Sequence, residues 1–211
     1  MRVQIKFKKL GSIRFISHHN VMKLFERAVR RAEIPVKMSK GFNPRPKIAY
    51  PLALPVGIEG VDEKLEIDLS DGMQIAKIES RLKRQLPENI QITSAKQISS
   101  QQKTFVTDVT YTVSPNEGKL PEVKKITEFM SKDVINTQRQ GKKKVFNLRP
   151  SIMDITTNLQ SIDLNLKMTP KGMARPEEVL FQLGLEVGKD YELSKVVRTK
   201  VNLSSSNVAT C

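Results

Sequence analysis

The sequence predicts an α+β fold built from two tandem ferredoxin-like (βαββαβ) units. Three observations carry that expectation. Apolar residues switch repeatedly between alternate and helical spacing along the chain. Prolines and polar turn residues mark the switches. The order of switches over the first hundred residues is β-α-β-β-α-β, and a similar order recurs in the second half.

Residues 2–8 alternate, with Val3, Ile5 and Phe7 on one face and Gln4, Lys6 and Lys8 on the other, which predicts a half-buried strand. Ser17 is placed to cap a helix whose buried stripe is Val21, Leu24, Phe25, Ala28, Val29 and Ala32. Lys23, Arg27, Arg30 and Arg31 fall on the rest of its surface, opposed by Glu26, and Pro35 marks its end. Residues 47–53 and 64–70 read as strands, residues 75–86 as a helix stopped by Pro87, and 89–99 as a strand.

In the second half, residues 105–114 predict a strand and Pro121 opens a helix with Val123, Ile126, Phe129 and Met130 inward. Residues 134–160 are extended and basic and give no clear strand pattern. Residues 161–168 alternate. Pro176 followed by Glu177 and Glu178 reads as a helix start, and 193–203 as a closing strand. The expected domains are 1–99 and 104–204, with a polar connector between them and a frayed tail at 205–211.

Composition narrows the function classes. With 211 residues the chain can bury a sizeable core. No run of 18 apolar residues is present, so no membrane association is expected, and the N-terminus lacks the apolar stretch of a secretory signal. The single cysteine, Cys211, gives no internal disulfide and no cysteine-based metal or iron–sulfur site. A cytoplasmic location is the expectation. The Walker A loop, the dinucleotide fingerprint, HExxH and GxSxG are all missing. No cofactor and no metal are expected.

Charge is the strongest signal. The net charge is +14, and residues 1–50 hold thirteen Lys or Arg against Glu26 and Glu33, a local net of +11. Such a concentration favours an anionic partner, nucleic acid first. A solvated basic face that only aids solubility is the plain alternative.

The segment SKGFNPRPKIAYPLALPVG, residues 39–57, adds a reason to expect binding. Pro44, Pro46, Pro51 and Pro55 stiffen it, and Gly41 permits a turn. Rigid backbone leaves Lys40, Arg45 and Lys47 with little entropy to lose on binding. Phe42 and Tyr50 offer stacking surfaces, and Asn43 lies at the turn. A structural loop with solvated cations fits the same residues. A second basic cluster, Arg139, Lys142, Lys143, Lys144 and Arg149 around Gly141, reads as a hairpin tip suited to phosphates or simply to solvent.

The only histidines, His18 and His19, are adjacent at the helix start, a poor arrangement for one metal. Beside Arg14, Lys40, Arg45 and Lys47, His18 is a candidate acid or base for phosphate chemistry. A polar residue closing the helix start is the competing reading.

The run RFISHHNVMKLFERAVRRAEIPVKMSKGFNPRPKIAYPLALPVG, with the later RQGKKKVFNLRPSI and ARPEEVL, resembles the radical SAM-linked (radical SAM-associated) family of bacterial proteins, a domain of unknown function. The resemblance implies a radical SAM enzyme as partner. It also implies company with ribosome- and RNA-related functions. Where the family pattern has His-Leu-Asp this chain has His18-His19-Asn20, which singles out His18 over His19 but, with Asn20 in place of aspartate, weakens a His–Asp pairing; Arg45 stands where histidine is common, which removes a possible partner histidine. Without CxxxCxxC the chain is not itself a radical SAM enzyme. The leading expectation is therefore an RNA-binding accessory module serving a separate radical SAM enzyme in RNA or ribosome-related modification. Arg14, His18, Lys40, Phe42, Asn43, Arg45, Lys47, Arg139, Lys142, Lys144 and Arg149 are its candidate binding residues. A metal-independent endoribonuclease using His18, and a protein–protein adaptor for the radical SAM partner, are the alternatives.

Overall fold

The computed structural model describes residues 1–117, 119–139 and 145–207. The fold is α+β, with four α-helices among the described residues. Two compact units form: Met1–Val106 joined by the segment from Leu203, and Thr107–Asn202. Among the described residues no helix is long and apolar enough to cross a membrane.

In the first unit, β1 (Arg2–Lys9), α1 (His18–Arg31), β2 (Ile48–Ala49), β3 (Glu59–Asp68), α2 (Ile75–Lys83) and β4 (Ile90–Ile98) follow in that order. β1 lies between β4 and β3, and β2 pairs with β3. All three of these pairings are antiparallel. The order β4-β1-β3-β2 is compatible with a ferredoxin-like unit. Val3, Ile5 and Phe7 of β1, Leu65 and Ile67 of β3, and Val21, Phe25, Ala28 and Val29 of α1 close the core, together with Ile78 and Leu82 of α2. Alternation on the strands and 3.6-residue spacing on the helices thus meet in one layer of side chains.

The proline-rich segment departs from its expected form. In place of a strand over 47–53 it contributes only the two residues of β2. Pro46 and Pro51 bracket that short pairing and have no N–H to extend a ladder. β3 in turn begins at Glu59, five residues before the expected start, because Glu63 is buried among the alternating positions and hides the pattern.

Ser17 caps α1, its Oγ accepting from the Asn20 amide at 3.3 Å. The other end is a Schellman motif: the Ile34 N–H donates to the Val29 carbonyl and the Glu33 N–H to the Arg30 carbonyl. Glu33 therefore takes the left-handed conformation, φ 52°, where glycine is usual. The helix ends through this turn, two residues ahead of Pro35.

In the second unit, β5 (Gln102–Val113, in this unit from Thr107), α3 (Val123–Met130), β6 (Asn136–Gln138), β7 (Val145–Asn147), β8 (Ile152–Thr157), β9 (Ile162–Lys167), α4 (Pro176–Gln182) and β10 (Val196–Asn207, in this unit to Asn202) follow in order. The sheet order is β10-β5-β9-β8, the same pattern as in the first unit once β6 and β7 are set aside as an inserted hairpin. The region 134–160 thus contains three strands among the described residues, β6, β7 and β8. β8 escapes a sequence reading because its register on β9 shifts between Ile152 and Asp154, which breaks the alternation. Val123 is 70% exposed and not inward; Ile126 and Phe129 alone carry the buried stripe of α3. β10 runs on to Asn207, beyond the expected end at 203. Backbone pairing between neighbouring strands does not need an alternating side-chain pattern, so Ser204 to Ser206 give no signal.

Two outcomes test this account of the first unit. Glu33→Gly should raise stability by about 0.5–1 kcal/mol in urea unfolding, since it removes the left-handed strain and only an exposed ion pair with Arg81. Arg2 faces Asp68 across β1 and β3, donating Nε to Oδ1 at 2.6 Å and Nη2 to Oδ2 at 3.3 Å. That guanidinium, with lesser help from Lys37 and Lys47, holds the Asp68 carboxyl below its usual range although burial opposes it. A carboxyl depressed on folding adds stability above its unfolded value of about 3.9 and loses it as pH falls through the folded value. Below about pH 4 the native chain should therefore lose its advantage over Asp68→Asn, read as converging urea midpoints.

Candidate nucleic-acid interface

The packing of α1 determines which of its side chains face out. With Val21, Phe25, Ala28 and Val29 inward, Lys23, Glu26, Arg27 and Arg30 share the opposite flank at i, i+3, i+4 and i+7 spacing. They form one wall of a groove of about 400 Å³, and Asn43, Pro44 and Arg45 form the other. Arg30 spans it, donating Nη2 to the Pro44 carbonyl at 3.4 Å. Four cations and one carboxylate in a concave surface concentrate a positive field.

The second wall is a short hairpin-like loop. Met38 bridges Pro46, the Ser39 N–H donates to the Arg45 carbonyl at 2.7 Å, and the Lys47 N–H donates to the Lys37 carbonyl at 2.7 Å. Arg45, between two prolines, has the one N–H of the 44–46 stretch, and it goes to Ser39 Oγ at 2.9 Å. The loop's few donors are thereby used internally, and its tip projects. Gly41 turns there at φ 129°, and Phe42 is fully exposed, with Lys40 beside it. A large apolar ring held in water at a loop tip costs solvation unless something covers it.

Of the residues singled out from the sequence, Asn43 and Arg45 line this groove, and Lys40 and Phe42 lie at the tip of its loop wall. Arg14 is engaged elsewhere: Nη1 meets Glu59 Oε1 at 3.1 Å, and that same carboxylate oxygen accepts the Gly11 N–H at 2.8 Å. Lys47 borders a different pocket of about 250 Å³ with Arg2, Glu66 and Asp68.

His18, the first residue of α1, is half-buried and set edge-on to Tyr50 with ring centres 5.2 Å apart. Twelve residues separate it from Arg30, about 18 Å along the helix axis. The prolines therefore hold Arg45 against the C-terminal half of α1, not beside His18. His18 instead lines a small pocket of about 10 Å³ with Lys9, Tyr50 and Glu63, a space on the scale of one water. Tyr50 is mostly buried there. Burial raises its hydroxyl above the ordinary tyrosine range, and the charge of Glu26 adds to that.

In the second unit, Arg139 and Arg149 serve the structure. Arg139 donates Nε and Nη2 to the two oxygens of Glu178 at 2.6 and 3.0 Å and Nη2 to the Met173 carbonyl at 2.7 Å. Its guanidinium also stacks on Phe146 at 4.1 Å. Arg149 donates to the carbonyls of Met130 and Ile152. Lys142 and Lys144 lie outside the described residues.

Sequence reasoning placed Lys23, Arg27 and Arg30 on the helix surface without making them binding candidates, although their spacing is that of one helix flank. It also passed over Lys9 and Glu63, both almost fully buried. Lys9 had a signal: it continues the alternation of Val3, Ile5 and Phe7 and so points inward, where its Nζ donates to the carbonyls of Arg14 and Ile16 at 3.2 and 3.0 Å.

Arg139→Lys tests the structural role of that arginine. A lysine cannot reproduce two parallel bonds to Glu178 and the stack on Phe146, so the variant should lose about 1–3 kcal/mol in chemical unfolding.

No curated protein matches the sequence. Residues 2–177 match the family described as an uncharacterized protein conserved in bacteria, DUF2344. The match takes in the whole proline loop, the basic flank of α1 and the second unit as far as the first turn of α4. The chain belongs to the DUF2344 family of conserved bacterial proteins.

Proposed function

We propose that this protein is an RNA-binding accessory module whose contact surface is the groove between α1 and the proline loop. The observation that carries the reading is a fully exposed Phe42 next to a concave surface holding Lys23, Arg27, Arg30 and Arg45. Cations along a groove neutralise phosphates, and an aromatic ring beside them stacks on an unpaired base. The internal hydrogen bonds of the loop support the same reading, because a preformed surface loses little entropy on binding.

The partner we propose is a separate radical SAM enzyme acting in RNA or ribosome-related modification. The sequence resemblance to the radical SAM-linked family supports that partner, and the proposed division of labour is that this module holds the RNA while the enzyme supplies chemistry. An endoribonuclease mechanism draws less support. The groove and the small pocket at His18 share no lining residue, so a phosphate held by Arg27 and Arg45 is not thereby delivered to the imidazole.

Titration of a fluorescent single-stranded RNA at several salt concentrations tests the proposal. Phe42→Ala should weaken binding by about 1–3 kcal/mol without changing the salt dependence. Arg27→Ala and Arg45→Ala should each flatten the slope of log K against log salt by about 0.7. A native protein that fails to bind RNA at low salt would overturn the reading.

A further inference from the structure

Glu26 is out of place in a phosphate-binding groove. It is half-buried and is the one acidic side chain among the groove-lining residues. Lys23 and Arg30 lie at positions i−3 and i+4 from it, where ion pairs commonly form on helices. Among the described residues the Glu26 side chain nevertheless takes part in no hydrogen bond or ion pair; Arg30 instead reaches the Pro44 carbonyl. Both carboxylate oxygens therefore stay available as acceptors, in a groove whose other charged lining residues are cations.

A carboxylate there repels phosphate, so it weakens any ligand that offers the groove only phosphate. It gains when the ligand brings N–H donors to it. Resting on the RNA-binding reading above, we infer that Glu26 makes this groove select guanine in single-stranded RNA. Guanine alone among the four bases presents two adjacent donors on its Watson–Crick edge, N1–H and the N2 amino group, matching the two carboxylate oxygens. Adenine and cytosine place a ring acceptor beside their single amino group, which faces the carboxylate with like polarity. Uracil flanks its one N–H with two carbonyls. That edge is open only when the base is unpaired, as sequence-specific RNA readers generally require. Phe42, one residue before Asn43 in the loop wall, supplies a stacking surface for a base.

The test uses the native protein and an oligouridine of eight nucleotides, with or without a single central guanosine, and a third strand with inosine at that place. The guanosine strand should bind roughly tenfold more tightly than oligouridine. Inosine, which keeps N1–H and lacks the amino group, should fall between them. Glu26→Gln should bind the guanosine and uridine strands with nearly equal affinity, and should bind oligouridine at least as well as the native protein does. Equal, salt-sensitive binding of all three strands by the native protein would overturn the guanine inference and leave RNA binding standing. Failure to bind any strand at low salt would overturn both.

Discussion

The first unit depends on the seat of Phe25. Its ring is fully buried, meeting Phe7 of β1 with centroids 4.9 Å apart and Tyr50, at the exit of the proline segment, at 6.3 Å. Burying such a ring is worth about 1.5–3 kcal/mol, and edge-to-face contacts add to it. The geometric consequence matters more than the energy. One anchored position on a helix fixes its rotation about its own axis, and with Phe25 inward the flank carrying Lys23, Arg27 and Arg30 must look away from the sheet. The same ring locates Tyr50, and through Tyr50 the near end of the segment that carries Arg45. Both walls of the groove are therefore referred to one aromatic cluster.

The proline loop then works by subtraction. Pro44 and Pro46 remove donors that could have joined β2 to a longer ladder, and the donors left over close the loop on itself through Ser39, Arg45 and Lys47. A longer strand would have drawn residues 39–46 down onto the sheet edge. Shortened to two residues, β2 lets the loop rise against α1, where the Arg30 guanidinium meets the Pro44 carbonyl. Stiffness and projection come from the same missing N–H groups.

The sequence made α1, α2, β1 and the cap at Ser17 readable through an unbroken period or a local stop signal, and β4 through its alternating start at Ile90 and Ile92, although its register on β1 shifts at Thr93. It failed where tertiary constraints override the period. Glu63 is a charged residue on the interior of a strand, and the bulge at Ile152 to Asp154 shifts the face that β8 presents. The basic character of the first fifty residues was equally plain, but side-chain commitment was not. Nothing local to Arg14 announces Glu59, 45 residues away, and nothing local to Arg139 announces Glu178, 39 residues away. Phe42, Asn43 and Arg45 were legible because the signal for them, a rigid exposed turn, is itself local.

That distinction between committed and available cations changes what the net charge means. Arg2 and Arg14 lie in the most basic stretch of the chain, yet each is held by a carboxylate within 3.1 Å, and Lys9 is buried against carbonyls. Their charge is largely answered where it sits. Lys23, Arg27, Lys40 and Arg45 are exposed, and among the described residues none of them forms an ion pair. A field strong enough to attract a polyanion comes from such unanswered groups, not from the total. Three of the four line one groove together with Arg30, and the fourth stands at the tip of its wall. Lys37, Lys47, Lys77, Arg84, Lys96 and Lys103 are also exposed and, among the described residues, form no ion pair, so the groove is set apart by gathering four cations in one concave surface around Glu26, the one carboxylate that lines it.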